Sequence, residues 1–338
     1  MGLFQDIVKK TLTLDGAMGT MIQRHTLTED DFRGIRFAGH HVALKGNNDL
    51  LCITRPDIIE EIHLQYFEAG ADIVETNTFN AQQISMEEYA LTDCIAEVNT
   101  AAVQCAKNAR DQYYLKHGRQ NQKYIAGAVG PTSKTTSLSP DVNNPAYRAV
   151  TYDQLHSAYF KQIEALIDAG VDAILIETIF DTLNAKAAFH AALDVLEKKN
   201  LTPITADNTN GDIALMASGT ITDAAGRTLS GQTAAAFAIS LSHLPLFSIG
   251  FNCALGADQL LPHVKELKKH TKAFVSAYPN AGLPNALGQY DETPEIMAQK
   301  ITAFLEENGV QIIGGCCGTT PNHICAIHHL VEHQNSAS

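Results

Sequence analysis

Positive charge is scarce in this chain. Lys and Arg number 24 against 37 Asp and Glu, for a net charge of −13, and the cations are scattered rather than clustered. That balance argues against nucleic acid or an anionic membrane as a partner. Long apolar runs are also missing. The longest apolar stretch, 234–251, is broken by Ser240, Ser242, His243 and Pro245, and reads as a helix followed by a strand rather than a membrane span. The opening Met1–Asp6 reaches charge too quickly for a secretory signal, and Asp6 replaces the Ser or Thr that a myristoylation pattern wants. The 7 cysteines are odd in number and lack the spacing of a disulfide framework, which fits a reduced, cytoplasmic setting. A dinucleotide turn is missing too: Gly16-Ala-Met-Gly19 follows the first strand candidate without the G-x-G-x-x-G spacing. No Pro- or Ser-rich linker divides the chain, so one domain is expected over residues 1–338, its ordered part about 5–333.

What the chain does contain is a repeated join. Glu68-Ala-Gly-Ala-Asp-Ile-Val-Glu75 resembles Asp168-Ala-Gly-Val-Asp-Ala-Ile-Leu-Ile-Glu177, and Glu307-Asn-Gly-Val-Gln-Ile-Ile-Gly314 is a looser copy. Each reads as a helix end, a glycine suited to a left-handed cap, and a buried strand. Short apolar strand candidates fall at 12–15, 72–76, 124–129, 173–177, 214–217, 247–251, 273–277 and 311–314. Amphipathic helices are expected at 56–69, 152–169, 182–198, 256–270, 294–308 and 321–333, with 334–338 as a frayed tail. Eight strand–helix alternations predict a (β/α)8 TIM barrel, with a doubly wound open sheet as the alternative. The polar excursion 26–48 should pack over one end of the barrel.

Barrel active sites lie at the C-terminal ends of the strands. Those ends here carry Asp15-Gly16, Glu75-Thr76-Asn77, Glu177-Thr178, Asn252-Cys253 and Cys316-Cys317, among others. Three thiolates on one ion leave a fourth tetrahedral position open, the pattern of a zinc that works on a ligand. Neighbouring residues on an extended strand point to opposite faces, so Gly314, Gly315 and Gly318 are expected to relax the backbone and turn both Cys316 and Cys317 one way. The acids make the opposite side of the mouth suited to an amine, although Asp15 could instead cap the next helix and Glu177 could serve a structural ion pair. Cys52, Cys94, Cys105 and Cys325 read as small apolar fillers. His323, Cys325, His328 and His329 on the last helix read as a solvated face rather than a second metal site.

These residues resemble a known family. Leu14-Asp-Gly-Ala-Met-Gly-Thr-Met-Ile-Gln23, Leu44-Lys-Gly-Asn-Asn-Asp-Leu50, Glu75-Thr-Asn-Thr-Phe79, Asn252-Cys-Ala-Leu-Gly256, Pro279-Asn-Ala-Gly-Leu-Pro284 and Gly314-Gly-Cys-Cys-Gly-Thr-Thr-Pro321 are similar to the homocysteine-binding domain of cobalamin-dependent methionine synthase, within the homocysteine S-methyltransferase family. The resemblance implies a zinc barrel with Cys253, Cys316 and Cys317 as metal ligands, and Asp15 and Glu177 holding the amino group of homocysteine. Asn77 joins the substrate set, and backbone N–H groups at Gly16 and Ala17 are expected to take the carboxylate. It implies transfer of a methyl group from methylcobalamin, held on a separate cobalamin-binding domain or protein, to give methionine. Two other functions stay open: a standalone homocysteine methyltransferase using betaine or S-methylmethionine, and a non-catalytic zinc-binding scaffold. Two departures stand out. The segment 202–212 is longer than the family's approach to strand five and suggests a hairpin or loop at the far end of the barrel, and the chain stops just after helix eight, as a fragment or a standalone protein would.

Overall fold

The structure is a computed structural model and describes residues 2–223, 225–306 and 309–337. Its strands are β1 (Leu12–Thr13), β2 (Ile73–Glu75), β3 (Tyr124–Val129), β4 (Ala173–Ile179), β5 (Pro203–Ile204), β6 (Ile213–Gly219), β7 (Ser248–Gly256), β8 (Phe274–Asn280) and β9 (Ile312–Ile313). All pairings are parallel, in the order β1-β9-β8-β7-β6-β4-β3-β2, with β5 paired only to β6. A bridge from Leu14 to Ile73 joins the two edges of the sheet. This is the expected (β/α)8 barrel, and β5 is an addition to it.

The strands are nearly all apolar because both faces are covered. Along β4, Leu175 packs in the barrel interior with Ile73, Ala126 and Met216, while Ile174 and Ile176 pack outward with the helices. This period of two also turns Glu75 and Glu177 inward, since they share the parity of Ile73 and Leu175. A short helix, Leu3–Ile7, plugs the N-terminal end: Phe4 meets Phe274 edge-on at 5.7 Å, and Tyr124 donates to Asp6 at 2.7 Å.

The strand candidates are all present, with shifted ends. β4, β6, β7 and β8 run further toward the mouth than their apolar cores, and β1 and β9 are shorter. Gly170 caps its helix in the left-handed region, as the repeat predicts, and Pro56 opens the helix expected from 56. Residues 307 and 308 of the third copy lie outside the described residues, and its helix spans Pro294–Leu305. The longest helix, Ile95–His117, is absent from the sequence reading. Its buried stripe includes Ala102, Ala106 and Ala109, and such small side chains give a weak periodic signal.

Three other expectations change. The segment 202–212 lies at the N-terminal end of the barrel as expected, but as a short parallel strand beside the start of β6 followed by a loop and not a hairpin, with Asp212 receiving the Thr202 N–H at 2.8 Å. The last helix runs Pro321–Ala337, so the tail is not frayed before Ser338, which lies outside the described residues. Asn335 explains this: its amide both accepts from Thr11 N–H (3.0 Å) and donates to Thr11 C=O (3.2 Å), anchoring the helix to the start of β1. On the same helix His323 is buried between Thr320 and the Glu292 carbonyl, and His328 meets Thr13 Oγ1 at 3.3 Å, so that face is only partly solvated. The excursion 26–48 packs at the mouth, where Glu29 receives the N–H groups of Leu44 and Lys45.

Candidate functional site

Cys253 reaches the mouth by breaking the strand rule. It shares the parity of Ile249 and Phe251, which face the helices. The β7–β8 register shifts between Asn252 and Gly256, and Cys253 and Ala254 take φ of 58° and 57°. The left-handed region costs a non-glycine residue roughly 1–2 kcal/mol, and here it turns the sulfur toward the cavity. Cys316 and Cys317 follow β9 and are stitched to β8: Cys316 N–H donates to the Pro279 carbonyl at 2.8 Å, and Ala281 N–H to the Cys317 carbonyl at 2.9 Å. Thr319 holds the Cys316 carbonyl with its hydroxyl at 2.6 Å, and Gly318 closes the turn at φ +81°. Of the three glycines expected to relax this backbone, only Gly318 is left-handed. A Cβ on Gly314 or Gly315 would instead strike the Asp15 carbonyl or Thr319.

The three sulfurs lie within 4.8 Å of one another, and Cys253 and Cys317 are 3.6 Å apart. Tetrahedral ligands with metal–sulfur bonds near 2.3 Å stand about 3.8 Å apart, so the donor set fits a soft divalent cation such as zinc. Among the described residues it is the one Cys, His and carboxylate group close enough to hold a metal. Hydrogen bonds from Cys253 and Cys316 push the Cys317 thiol down to about 3, whereas the same contacts and burial push Cys316 well up. At Cys253 the bond to Cys316 lowers the value, but Cys317 and burial outweigh it and push it up to about 11. A cation held between the three sulfurs would favour their deprotonated form.

Across the mouth stand Asp15, Glu75 and Glu177. Asp15 Oδ2 accepts the Glu75 N–H at 3.0 Å, and the Tyr278 hydroxyl donates to Glu177 at 3.4 Å. Burial pushes Asp15 well up, the Glu75 N–H opposes this, and the Glu177 charge adds to it. Burial, then Glu177, then Asp15 push Glu75 well up, and burial takes Glu177 to about 7. Asp15 caps no helix, since the next one, Met18–Gln23, has Ala17 at its N-cap and no side-chain cap, and among the described residues no Lys or Arg bridges any of the three acids. Three packed carboxyls without a cation have the charge to accommodate an ammonium group.

Asn252 couples the two walls. Its Oδ1 accepts from Ser218 (2.7 Å) and from Thr178 N–H (3.1 Å), and its Nδ2 donates to Thr178 Oγ1 (2.9 Å) and leans on Cys316 Sγ at 3.9 Å. It thereby holds Thr178, left-handed at φ 53°, directly after Glu177. Asn252 and Tyr278 were visible as strand ends, and Thr319 within a family segment, but none of them was given a role. Glu75 was visible as a strand end but was not assigned to the substrate. Of the expected substrate residues, Asp15, Gly16, Ala17, Asn77 and Glu177 all line one cavity of about 870 Å³ with the three cysteines. Ala17 N–H is already engaged by Thr319 Oγ1 at 3.1 Å, and Asn77 donates its amide to the Asn48 carbonyl at 2.8 Å, which shapes the wall.

The sequence model of the homocysteine S-methyltransferase family matches residues 12–331. The metallated form of the homocysteine methyltransferase MmuM from Escherichia coli is 22% identical, covers 95% of this chain and 96% of its own, and superposes with a TM-score of 0.70. Its oxidized form gives 21%, 94%, 95% and 0.71 in the same order. The octameric ribulose-1,5-bisphosphate carboxylase/oxygenase of Pyrococcus horikoshii shares the barrel at a TM-score of 0.50 and 13% identity, over 97% of this chain and 59% of that one. These structural likenesses establish the fold, which by itself carries many chemistries. The family match spans both walls of the cavity, and on that match the chain belongs to the homocysteine S-methyltransferase family.

Proposed function

We propose that this chain is a zinc-dependent homocysteine S-methyltransferase module that makes methionine with methylcobalamin, presented by a separate domain or protein, as methyl donor. The observation that carries this reading is the convergence of three sulfurs and three cation-free carboxyls on one cavity. Cys253, Cys316 and Cys317 would hold the zinc, which when bound supplies the positive charge that favours ionisation of an incoming thiol. Asp15, Glu75 and Glu177 receive the substrate ammonium, whose charge offsets their mutual repulsion. Gly16 leaves room for Thr319 and Tyr66, which a Cβ there would strike, and so lets this wall of the cavity close. Asn252 keeps the acid and thiol walls at a constant spacing, so the amino acid is held at both ends and its sulfur is aimed outward. The reaction is a displacement: the sulfur bonds to the methyl carbon while the donor keeps the bonding electron pair. The residues therefore supply orientation rather than a base.

Exposed apolar tips favour a donor carried on a macromolecule. Leu138 and Val142 lie on the loop after β3, Leu229 on the loop after β6, and Leu283 and Leu287 on the loop after β8, all at the mouth end. Such a rim suits docking of a partner surface. The alternative of a small donor such as S-methylmethionine or betaine draws support from the cavity, whose volume exceeds that of one amino acid and leaves room for a second small molecule. A reduced cytoplasmic setting suits three free thiols; no described helix is long and apolar enough to cross a membrane. The test is methionine formation by the zinc-loaded chain from homocysteine with each donor in turn. Methylcobalamin should support turnover. Turnover with S-methylmethionine or betaine alone would replace that donor, and no methionine from any donor, with no exchange of thiols at the metal, would leave a scaffold.

A further inference from the structure

The cavity has a wall that the substrate reading does not use. Residues 46–50 turn back on themselves, with Asn47 Oδ1 accepting the Leu50 N–H at 3.3 Å. They are fastened to the loop after β2, where Asn77 Nδ2 donates to the Asn48 carbonyl at 2.8 Å and Asn80 N–H donates to Asp49 Oδ2 at 2.6 Å. Asp49 is only 2% exposed, yet it lines the cavity together with Asn48, Phe79 and Asn80. The bond from Asn80 is its one side-chain hydrogen bond, and no Lys or Arg bridges the residue, among the described residues. Fastening the Asn80 N–H needs only a neutral acceptor such as an amide, and burial pushes the Asp49 carboxyl up to about 7 against that bond. A buried, half-satisfied carboxylate on a cavity wall is the mark of a ligand contact.

Homocysteine is an unsuitable occupant. Its ammonium and sulfur are both accounted for at the strand ends, whereas Asp49 lies on the wall fastened to Asn77 and Asn80, past the end of β2 at Glu75. The molecule that must approach from outside is the methyl donor. We propose that Asp49 is the donor-side anchor of this cavity, accepting a hydrogen bond from an N–H group of the methyl donor. This rests on the methyl-transfer reading above. Two donors carry such a group: methylcobalamin in its peripheral amides, and S-methylmethionine in its α-ammonium. Betaine has no N–H.

The test is calorimetric binding of each donor, without turnover, to the zinc-loaded chain and to its Asp49→Asn and Asp49→Glu variants. Asn keeps an oxygen for the Asn80 N–H but replaces the free acceptor by a donor. A charge-assisted hydrogen bond contributes roughly 1.5–3 kcal/mol, so Asp49→Asn should weaken the N–H-bearing donor about ten- to a hundredfold. Homocysteine and betaine binding should change by less than about twofold, and Asp49→Glu should recover part of the loss. The donor that weakens identifies the source of the N–H. Unchanged donor binding in Asp49→Asn would overturn the inference and leave the methyl-transfer reading intact. Equal weakening of homocysteine would overturn it by making Asp49 a prop for the wall. A wild-type chain that binds neither N–H donor would overturn the inference, and only one that makes methionine from no donor at all would remove the methyl-transfer reading as well.

Discussion

Asp72 and Asp172 stand just before β2 and β4, while Glu75 and Glu177 stand toward the other ends of the same strands. The two ends treat buried acid in opposite ways. At the N-terminal end Asp72 receives Thr13 N–H at 3.0 Å and Lys10 at 2.9 Å, with Lys123 at 3.9 Å. Asp172 receives Ile125 N–H at 2.8 Å and faces Arg110 at 3.5 Å; burial still raises it, but the Ile125 bond and the arginine oppose that. At the mouth Glu75 and Glu177 have each other and no cation. Each acid at the lower end also bonds the N–H at the start of the neighbouring barrel strand, so it pins the sheet. The acids at the mouth leave a charge requirement for a ligand to fill, in line with stability at the bottom of such barrels and chemistry at the top.

The largest expected effect breaks the thiol wall. Replacing Cys316 by Ala should remove both bound zinc and methyl transfer while circular dichroism still reports a folded barrel, because the core does not depend on the metal. Full zinc by elemental analysis in that variant would sink the ligand assignment. Next comes the paired end. Asp72→Ala leaves Lys123, whose side chain is 3% exposed, buried without a carboxylate, its ammonium held by the Ala71 carbonyl at 2.7 Å. Breaking a buried pair typically costs about 3–5 kcal/mol, so urea unfolding should show a loss of that order with homocysteine affinity nearly unchanged in the folded protein. A loss under ~1 kcal/mol would erase the contrast between the two ends.

Glu177→Gln should act in the opposite sense. Homocysteine should bind about ten- to a hundredfold more weakly, since a charge-assisted bond is removed, while zinc stays and a simple alkyl thiol is indifferent. Stability should rise, and in a pH-dependent way. Glu177 is pushed up to about 7 in the fold, so its contribution is full below the ordinary carboxyl range and is lost as pH rises through about 7. Gln does not titrate, so thermal melts of the metal-free chain should coincide with wild type near pH 4 and lie above it at pH 8. Equal melts at both pH values would mean the acid is already satisfied. The smallest effect tests the strain beside Cys253. Ala254→Gly should stabilise the metal-free chain by roughly 0.5–1 kcal/mol in urea, since glycine accepts the left-handed φ of 57°.

Much of this was readable in one dimension. The repeat at 68–75 and 168–177 announced helix, cap and strand because each piece obeys local rules. Cys253, Cys316 and Cys317 were legible because they sit where apolar runs stop. The helix Ile95–His117 was not, because its alanines pack well without standing out against their neighbours. Asn252 was not, because a lone polar residue at a strand end carries no sign of which loops it will tie together. Nor was Asp49, a charged residue in a polar segment until Asn80 and the cavity close around it.

The order of strands and helices, the parity that turns Glu75 and Glu177 inward, and the presence of three thiols at strand ends were set by the sequence by itself, since spacing and side-chain chemistry are local. Tertiary structure decided which way Cys253 points, through a register shift that needs β8 beside it. It decided that Ala17 N–H belongs to Thr319. It also decided which acids remain without a cation, because burial and pairing depend on residues far apart in the chain that only the closed barrel brings into contact.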